Sequence, residues 1–166
     1  MVKWLRQSTS GMIVTTLLRL YVGFLWIGDG WEKVSKGFDA QGFITNAIKN
    51  PVMNGDHTAA AYPWFTSFLK GFVQPNIHMF NFMVSWGELL VGLGLFFGTL
   101  TTAAVFFGMM MNFAYLFAGT VSVNPLFILI EIFIIIAGFN AGKIGLDRWI
   151  IPWLRDKLPF LKRSVE

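Results

Sequence analysis

The sequence predicts an all-α integral membrane protein, a four-helix bundle with two short amphipathic helices in a long extracytoplasmic loop. Hydrophobic residues make up 55% of the chain, charged residues only 13%, and the mean hydropathy is +0.59. Globular domains carry about 25% charged residues, and a membrane span needs roughly 20 mostly apolar ones. We predict one domain over residues 1–166, with spans at about 11–33, 79–98, 100–118 and 125–141. Only the short fourth stretch would, taken alone, also suit a buried helix of a soluble protein.

Basic residues predict the orientation of the spans. Eight lie in the two tails: Lys3, Arg6, Lys143, Arg148, Arg155, Lys157, Lys162 and Arg163. Four spans put both tails on one side, and the positive-inside rule makes that side cytoplasmic. We expect a multi-pass protein of a prokaryotic cell membrane with a cytoplasmic tail at 142–166. The net charge of +4 is then explained by topology and anionic lipid, which favours the bilayer over nucleic acid as partner.

The N-terminus also resembles a secretory signal, because Lys3 and Arg6 precede an apolar run. However, Arg19 interrupts that run and no small-residue cleavage site closes it, so we expect a span.

The connection at 35–78 is too long for a plain link. It predicts two amphipathic helices, one over 39–49 and one that begins at Pro63 and ends before Pro75. Such helices lie flat at the headgroups or cap a cavity, and both possibilities stay open. The segment Trp149–Leu161 predicts a similar anchor on the cytoplasmic face.

Each predicted span carries a polar or ionisable residue deep inside it, namely Arg19, Glu88, Asn112 and Glu131. An Arg or acidic residue at the bilayer centre costs roughly 2.5–3.5 kcal/mol on insertion scales, so it needs a partner or a function. Helical spacing puts these residues on faces that also carry glycines, as expected where backbones approach closely. We therefore predict a cluster of Arg19, Glu88 and Glu131 near the midplane, with Asn112 nearby.

Two acids that share one base leave a surplus negative charge, so one carboxyl group is expected to hold an exchangeable proton. A structural clamp without chemistry is the alternative. At the outer end, Asp29, Glu32, Lys33 and Lys36 allow two i,i+4 pairs, and Lys33 is a candidate contact for an anionic substrate.

Metal and haem chemistry are not expected. The chain has no cysteine, which excludes disulfides, thiolate metal sites and iron–sulfur ligation within it. Its two histidines, His57 and His78, both lie outside the predicted spans. Two isolated histidines do not suit a membrane haem pair or a metal site.

Three sequence features together resemble the DoxX family of small four-span membrane proteins. In the first span, Leu18-Arg19-Leu20 is followed by Gly23 and by Gly30-Trp31-Glu32-Lys33. In the second span, Gly87-Glu88-Leu89-Leu90 is followed by Gly92 and Gly94. In the fourth span, Glu131 precedes the ending Asn140–Asp147. The order and spacing of these features are similar to the family's over nearly the whole chain. Gly145 is a departure, since Ser is common there.

The resemblance implies membrane redox chemistry, because the family includes the DoxD-like subunit of thiosulfate:quinone oxidoreductase. It implies a quinone as cofactor. From the polar cluster we expect Arg19, Glu88, Asn112, Tyr115 and Trp26 to bind it, with Glu88 and Glu131 as proton donors and Arg19 stabilising a reduced oxygen, so that these three are the predicted catalytic residues. A separate redox subunit is the implied partner. From the residues alone, Tyr115 and Trp26 are most simply packing residues. A non-enzymatic module that binds a lipid or small molecule or scaffolds a partner, and a small proton-coupled transporter that forms homo-oligomers, remain alternatives.

Overall fold

The computed structural model describes residues 1–158, and over this range the chain folds into helices, as the sequence predicts. One isolated bridge joins Met53 to Ala60 in the long connection. The α-helices are α1 (Val2–Gln7), α2 (Thr9–Lys36), α3 (Gln41–Lys49), α4 (Pro63–Phe68), α5 (Ile77–Phe97), α6 (Thr101–Phe117), α7 (Asn124–Ala137), α8 (Phe139–Gly142) and α9 (Asp147–Lys157).

The four longer helices α2, α5, α6 and α7 pack side by side around a shared core. Two helical stretches, Thr9–Lys36 and Pro63–Phe97, are long and apolar enough to cross a membrane. α6 and α7 are apolar but shorter. The predicted span positions thus coincide with the four long helices, although α2 extends further at both ends than residues 11–33.

The closest helix contact is between α2 and α5, and it depends on glycine. A Cβ at Gly30 would lie 2.4 Å from the backbone nitrogen of Leu89, and one at Gly92 would lie 2.5 Å from that of Ile27. Both distances are shorter than atoms tolerate, so only a hydrogen fits at these positions. The expectation that glycines mark close backbone contacts is confirmed here.

The connection between α2 and α5 forms a small second core at one end of the molecule, which we call the loop end. Ile44 and Ala47 of α3 are buried there with Phe65 of α4 and with Leu69 and Val73 beyond it. Ala118 at the end of α6 completes this core. The two amphipathic helices therefore pack against the helix ends instead of lying free.

The second amphipathic helix does not end before Pro75 as predicted. It continues from α4 through a π-helical stretch, Leu69–Val73, and a 3₁₀ turn, Gln74–Asn76, directly into α5. Proline lacks the backbone donor for a regular α-helical bond, but it is tolerated in the first turn of a helical segment. The local change of helix type lets the chain pass Pro75 without a break.

Both described termini lie at the opposite end, which we call the tail end. The Asn140 side chain donates hydrogen bonds to the backbone oxygens of Leu5 (2.7 Å) and Ser8 (3.1 Å), which ties α1 to α8. α9 follows with exposed Trp149 and Trp153, as the anchor prediction requires. Residues 159–166 of the predicted tail and anchor, Lys162 and Arg163 among them, lie outside the described residues.

Candidate functional site

Two polar side chains converge on the buried Glu88 of α5. The Tyr115 hydroxyl donates to Oε1 at 2.5 Å, and the Lys33 ammonium donates to Oε2 at 2.5 Å. Three helices, α2, α5 and α6, thus each contribute one side chain. We call Lys33, Glu88 and Tyr115 the Glu88 triad.

The Lys33 contact follows from the glycine packing described above. Gly30 lies one turn before Lys33 and rests on the backbone of α5 next to Glu88, which brings the two helices close enough for the pair. The sequence placed Lys33 among charges at the outer helix end, and Lys36 does pair with Glu32 there at 3.0 Å. Lys33 itself reaches inward to Glu88, a contact that sequence reasoning missed.

Glu131 of α7 is fully buried and forms a second, neighbouring group. It accepts hydrogen bonds from the Trp26 indole at 3.2 Å and from the Asn112 amide at 2.9 Å. Gly108 provides the space, since a Cβ there would lie 2.7 Å from Oε1 of Glu131. Asn112 therefore lies beside an acid as predicted, and Trp26 has a polar contact in addition to packing.

A cavity of about 320 Å³ connects the two groups. Glu88, Lys33 and Tyr115 line it together with Asn112 and Trp26, whereas Glu131 lies behind the latter two. Aromatic side chains complete its walls, including Phe38 and Phe43 from the loop-end connection and Phe127 of α7. The connection therefore contributes to the cavity wall.

The predicted inclusion of Arg19 in this cluster is wrong. Arg19 is buried, but its guanidinium donates to the backbone oxygens of Leu95, Phe96 (3.0 Å) and Ile144 (2.7 Å). It thus caps the last turn of α5 at the tail end and does not contact either carboxylate. The charge balance of two acids for one Arg is corrected in the same way, because Lys33 is the cation at Glu88.

Asp147 is a buried acid to which sequence reasoning assigned no role. Its carboxylate accepts hydrogen bonds from the backbone N–H groups of Leu100 (2.6 Å) and Thr101 (2.9 Å) at the start of α6. Gly145 passes so close to the turn before α6 that a Cβ would lie 2.8 Å from the Phe97 oxygen. The segment Asn140–Asp147 therefore acts as a structural clamp, and Arg19 belongs to it because it donates to the Ile144 oxygen.

Among the described residues no group of three or more His, Asp or Glu side chains is arranged to hold a metal ion. No protein-family model matches the chain, nor does any curated protein or solved structure. The resemblance to DoxX proteins therefore stays a prediction from the residues quoted above.

Proposed function

We propose that this protein is a membrane-embedded four-helix bundle that binds a quinone in the cavity beside Glu88 and exchanges protons with it. The observation that carries this proposal is the triad itself, a buried carboxylate held by a phenol and an ammonium inside an aromatic-walled cavity. The arrangement supplies a mostly apolar space that is also lined by titratable groups.

Large apolar side chains on the outside of the bundle, together with buried charged ones inside it, support the membrane part of the proposal. Phe24 of α2 is 67% exposed and Leu90 of α5 is 62% exposed, whereas Glu88 is 2% and Glu131 0% exposed. A soluble protein hides its large apolar side chains, and large contiguous apolar surfaces mark an interface or a bilayer. Buried polar groups with an apolar outer surface are what lipid as a solvent requires.

The short fourth helix is compatible with this placement. α7 has 14 residues and would span only about 21 Å at 1.5 Å per residue. The chain turns at Gly138 and continues as α8, which extends the apolar segment toward the tail end. α7 and α8 together hold 18 residues, which lies at the lower end of the roughly 17–25 residues of a membrane span.

The cavity fits a small aromatic ligand. Its volume is near the lower end of the roughly 300–1,000 Å³ typical of small-molecule sites, and such sites combine apolar walls with a few polar groups. Trp26, Phe38, Phe43 and Phe127 supply flat surfaces, and Asn112 has a buried amide oxygen without a hydrogen-bond partner. Glu88, Lys33 and Tyr115 supply polar groups in the same cavity.

Glu88 is the residue placed to handle protons. A general acid or base must lie within hydrogen-bond reach of its partner, and Glu88 lines the cavity while Tyr115 and Lys33 fix its orientation. Lys33 is partly exposed and also borders the charged surface formed by Asp29, Glu32 and Lys36. A proton can therefore be passed between solvent at the loop end and the cavity through Lys33 and Glu88.

A quinone, when bound, supplies the two-electron redox chemistry, and its reduction consumes two protons. The described residues hold no cysteine and no haem-type histidine pair, so the electrons are assigned to a separate redox subunit. The DoxX resemblance favours thiosulfate as the electron donor of that subunit. Thiosulfate would approach from the loop end, where Lys36 and its neighbours lie.

The test is purification in mild detergent, followed by solvent extraction and detection of quinone by absorbance and mass spectrometry. We expect quinone in wild-type protein, and its loss in Glu88→Gln and Lys33→Met. Glu32→Gln is the matched control, since it removes a carboxylate at the exposed loop end of the same region. Wild-type protein that holds no quinone and binds none when it is added would overturn the proposal.

A non-enzymatic binding module is the second candidate, favoured by one observation. Each oxygen of Glu88 already accepts a hydrogen bond from the protein, which is what a structural clamp needs. Under this alternative the cavity holds a lipid or small molecule. Glu88→Gln then lowers the thermal stability of the protein, while the variant still binds that molecule.

A further inference from the structure

The segment that leads into α5 has three sides of different chemistry. It covers residues 63–76, namely α4, the π-helical stretch and the 3₁₀ turn, and we call it the cap segment. Its first side faces the second core at the loop end. Phe65, Leu69 and Val73 recur there at every fourth position and are buried. This side holds the segment on the ends of the bundle helices.

The second side is an exposed row of aromatic rings. Trp64, Phe68 and Phe72 recur at the same spacing, one position earlier, so they lie beside the buried side chains. They are 60%, 40% and 50% exposed, respectively. The centroid of the Phe72 ring lies 5.7 Å from that of Phe68 and 5.8 Å from that of Phe80 in α5. The aromatic row therefore continues onto the first turn of α5.

The third side is polar. Ser67 and Lys70 are exposed, and helical spacing places both on the part of the circumference that the other two sides leave open. A surface helix of a water-soluble protein needs only an apolar side for the core and a polar side for water. A helix at a membrane surface also buries aromatic side chains at the boundary of headgroups and acyl chains, with Lys or Arg on its polar face. The three sides of the cap segment match this second pattern.

The position of the cap segment along the chain indicates what covers the aromatic row. α5 has 21 residues and spans about 32 Å at 1.5 Å per residue, close to the roughly 30 Å of a hydrocarbon core. The cap segment precedes α5 in one continuous helical stretch, Pro63–Phe97, so it begins where the hydrocarbon core ends. Tryptophan is enriched at this boundary because its ring is apolar and its N–H is polar. Lipid is therefore the surface that adjoins both α5 and the aromatic row.

We infer that the cap segment is a membrane-interface anchor whose binding partner is phospholipid. Trp64, Phe68 and Phe72 lie between the headgroups and the acyl chains of the leaflet at the loop end. Ser67 and Lys70 face the water and the phosphate groups. This inference rests on the membrane placement in the proposed function and not on the binding of a quinone.

The anchor also bears on the cavity. Phe38 and Phe43 pack against the second core that the cap segment covers, and both line the cavity beside Glu88. The same segment thus has one side on the core behind the cavity wall and another side in lipid. Its lipid contact holds this end of the cavity against the leaflet.

The experiment introduces the photoreactive amino acid p-benzoylphenylalanine at one position at a time, in the full-length protein in native membranes. On illumination its benzophenone group inserts into a neighbouring C–H bond, so the side chain becomes joined to whatever covers it. The test positions are Trp64, Phe68 and Phe72. Leu90 on the outside of α5 is the lipid control, and Ser67 is the matched control on the polar side of the same segment.

The mass of the purified protein reports the adduct. We expect a phospholipid adduct at each of the three aromatic positions, in a yield similar to that at Leu90. The yield at Ser67 should be several-fold lower, because that position faces water.

The possible failures are distinguishable. Lipid adducts at Leu90 but at none of the aromatic positions would overturn the inference while the membrane placement stands. If Leu90 gives no lipid adduct either, the membrane placement is lost together with the inference. A crosslink to a protein or to a second copy of the chain at the aromatic positions would replace lipid with a protein interface. Equal yields at Ser67 and Phe68 would contradict the three-sided arrangement. Should one aromatic variant fail to fold, the other two decide the inference.

Discussion

Glu88 and Lys33 illustrate at the residue scale how a buried charge is kept in an apolar bundle. Taking either charge out of water is expensive, and the pair is stable only because both partners are present. The exposed pair of Lys36 and Glu32 has no such requirement, since water screens it. The side chain of Lys33 is 25% exposed, against 73% for Lys36.

The first prediction compares these two lysines. Lys33→Met leaves Glu88 buried without its cation, which should lower the free energy of unfolding by about 3–5 kcal/mol. Lys36→Met should have little effect. Thermal melting of the purified variants in detergent measures both, and the double variant Lys33→Met, Glu88→Gln should recover part of the loss. Equal effects of the two lysines would contradict the assigned pairing.

The second prediction separates Arg19 from the site. Because Arg19 bonds only to backbone oxygens at the tail end, Arg19→Leu should lower the melting temperature yet leave the dissociation constant for quinone unchanged. Arg19→Lys should restore part of the stability, since it keeps the charge but fewer donors. A quinone site lost in Arg19→Leu protein that is still folded would return Arg19 to the binding residues.

The buried polar residues of the spans could be identified from the sequence, but the contacts that Arg19 and Lys33 make could not. Glu88, Glu131 and Asn112 are conspicuous because they interrupt apolar segments. The directions of Arg19 and Lys33 require the rule that helical side chains lean toward the N-terminus of their helix. On α2 this rule carries Arg19 to the tail end and Lys33 inward to Glu88, which is the arrangement observed.

At the element scale, the α2–α5 contact brings Lys33 and Glu88 together. The third prediction therefore uses two glycines of the same helix. Gly30→Ala inserts a methyl group where no space exists, and such overpacking costs about 1–3 kcal/mol. Gly28→Ala meets no atom within 4 Å and should be neutral or slightly stabilising, because alanine favours helix. Both are measured by thermal melting, with quinone binding as a second readout. Equal destabilisation by both would mean that the helices do not cross at Gly30.

The fourth prediction concerns the start of α3 and its dependence on pH. Hydrogen bonds from the Gln41 backbone (3.0 Å) and the Asn81 side chain (3.2 Å) lower the pKa of Asp39 below its ordinary value. The folded state thus favours the charged carboxylate, so its contribution is complete above the ordinary pKa of about 3.9 and is lost as pH falls through the lowered value.

The comparison is between wild-type protein and Asp39→Asn, whose side chain does not titrate. The difference in melting temperature should be constant at higher pH and shrink as the pH is lowered below about 4. A difference that grows on acidification would have the wrong sign for this contact.

Helix boundaries were predicted correctly where a proline and the amphipathic spacing indicate the same position. They were missed where the chain changes from α-helix to another helix type. Pro63 does begin a helix, but Pro75 does not end one, because a π-helical stretch and a 3₁₀ turn carry the chain across it. Such a change depends on packing in the second core at the loop end, so the local sequence does not reveal it. The contribution of Phe38 and Phe43 to the cavity wall was likewise not evident from the sequence.

At the scale of the whole molecule, the proposals depend on the bundle lying in a bilayer with its loop end outside. The chain has no cysteine, so single cysteines can report this without background. Asp56 is exposed in the loop-end connection, and Lys157 is exposed in α9 at the tail end. We predict that Asp56→Cys reacts with a membrane-impermeant maleimide in intact cells, and that Lys157→Cys reacts only after permeabilisation.

Leu90→Cys distinguishes a membrane bundle from a soluble protein with an apolar surface. Leu90 is on the outside of α5 and 62% exposed, so in water a cysteine there would react readily. In a bilayer it faces hydrocarbon, where the thiolate that attacks maleimide does not form. We therefore expect no labelling before or after permeabilisation, and labelling only once the protein is denatured. Reaction of Leu90→Cys in native membranes would place the outer face of α5 in water and remove the basis for a quinone site inside a membrane bundle.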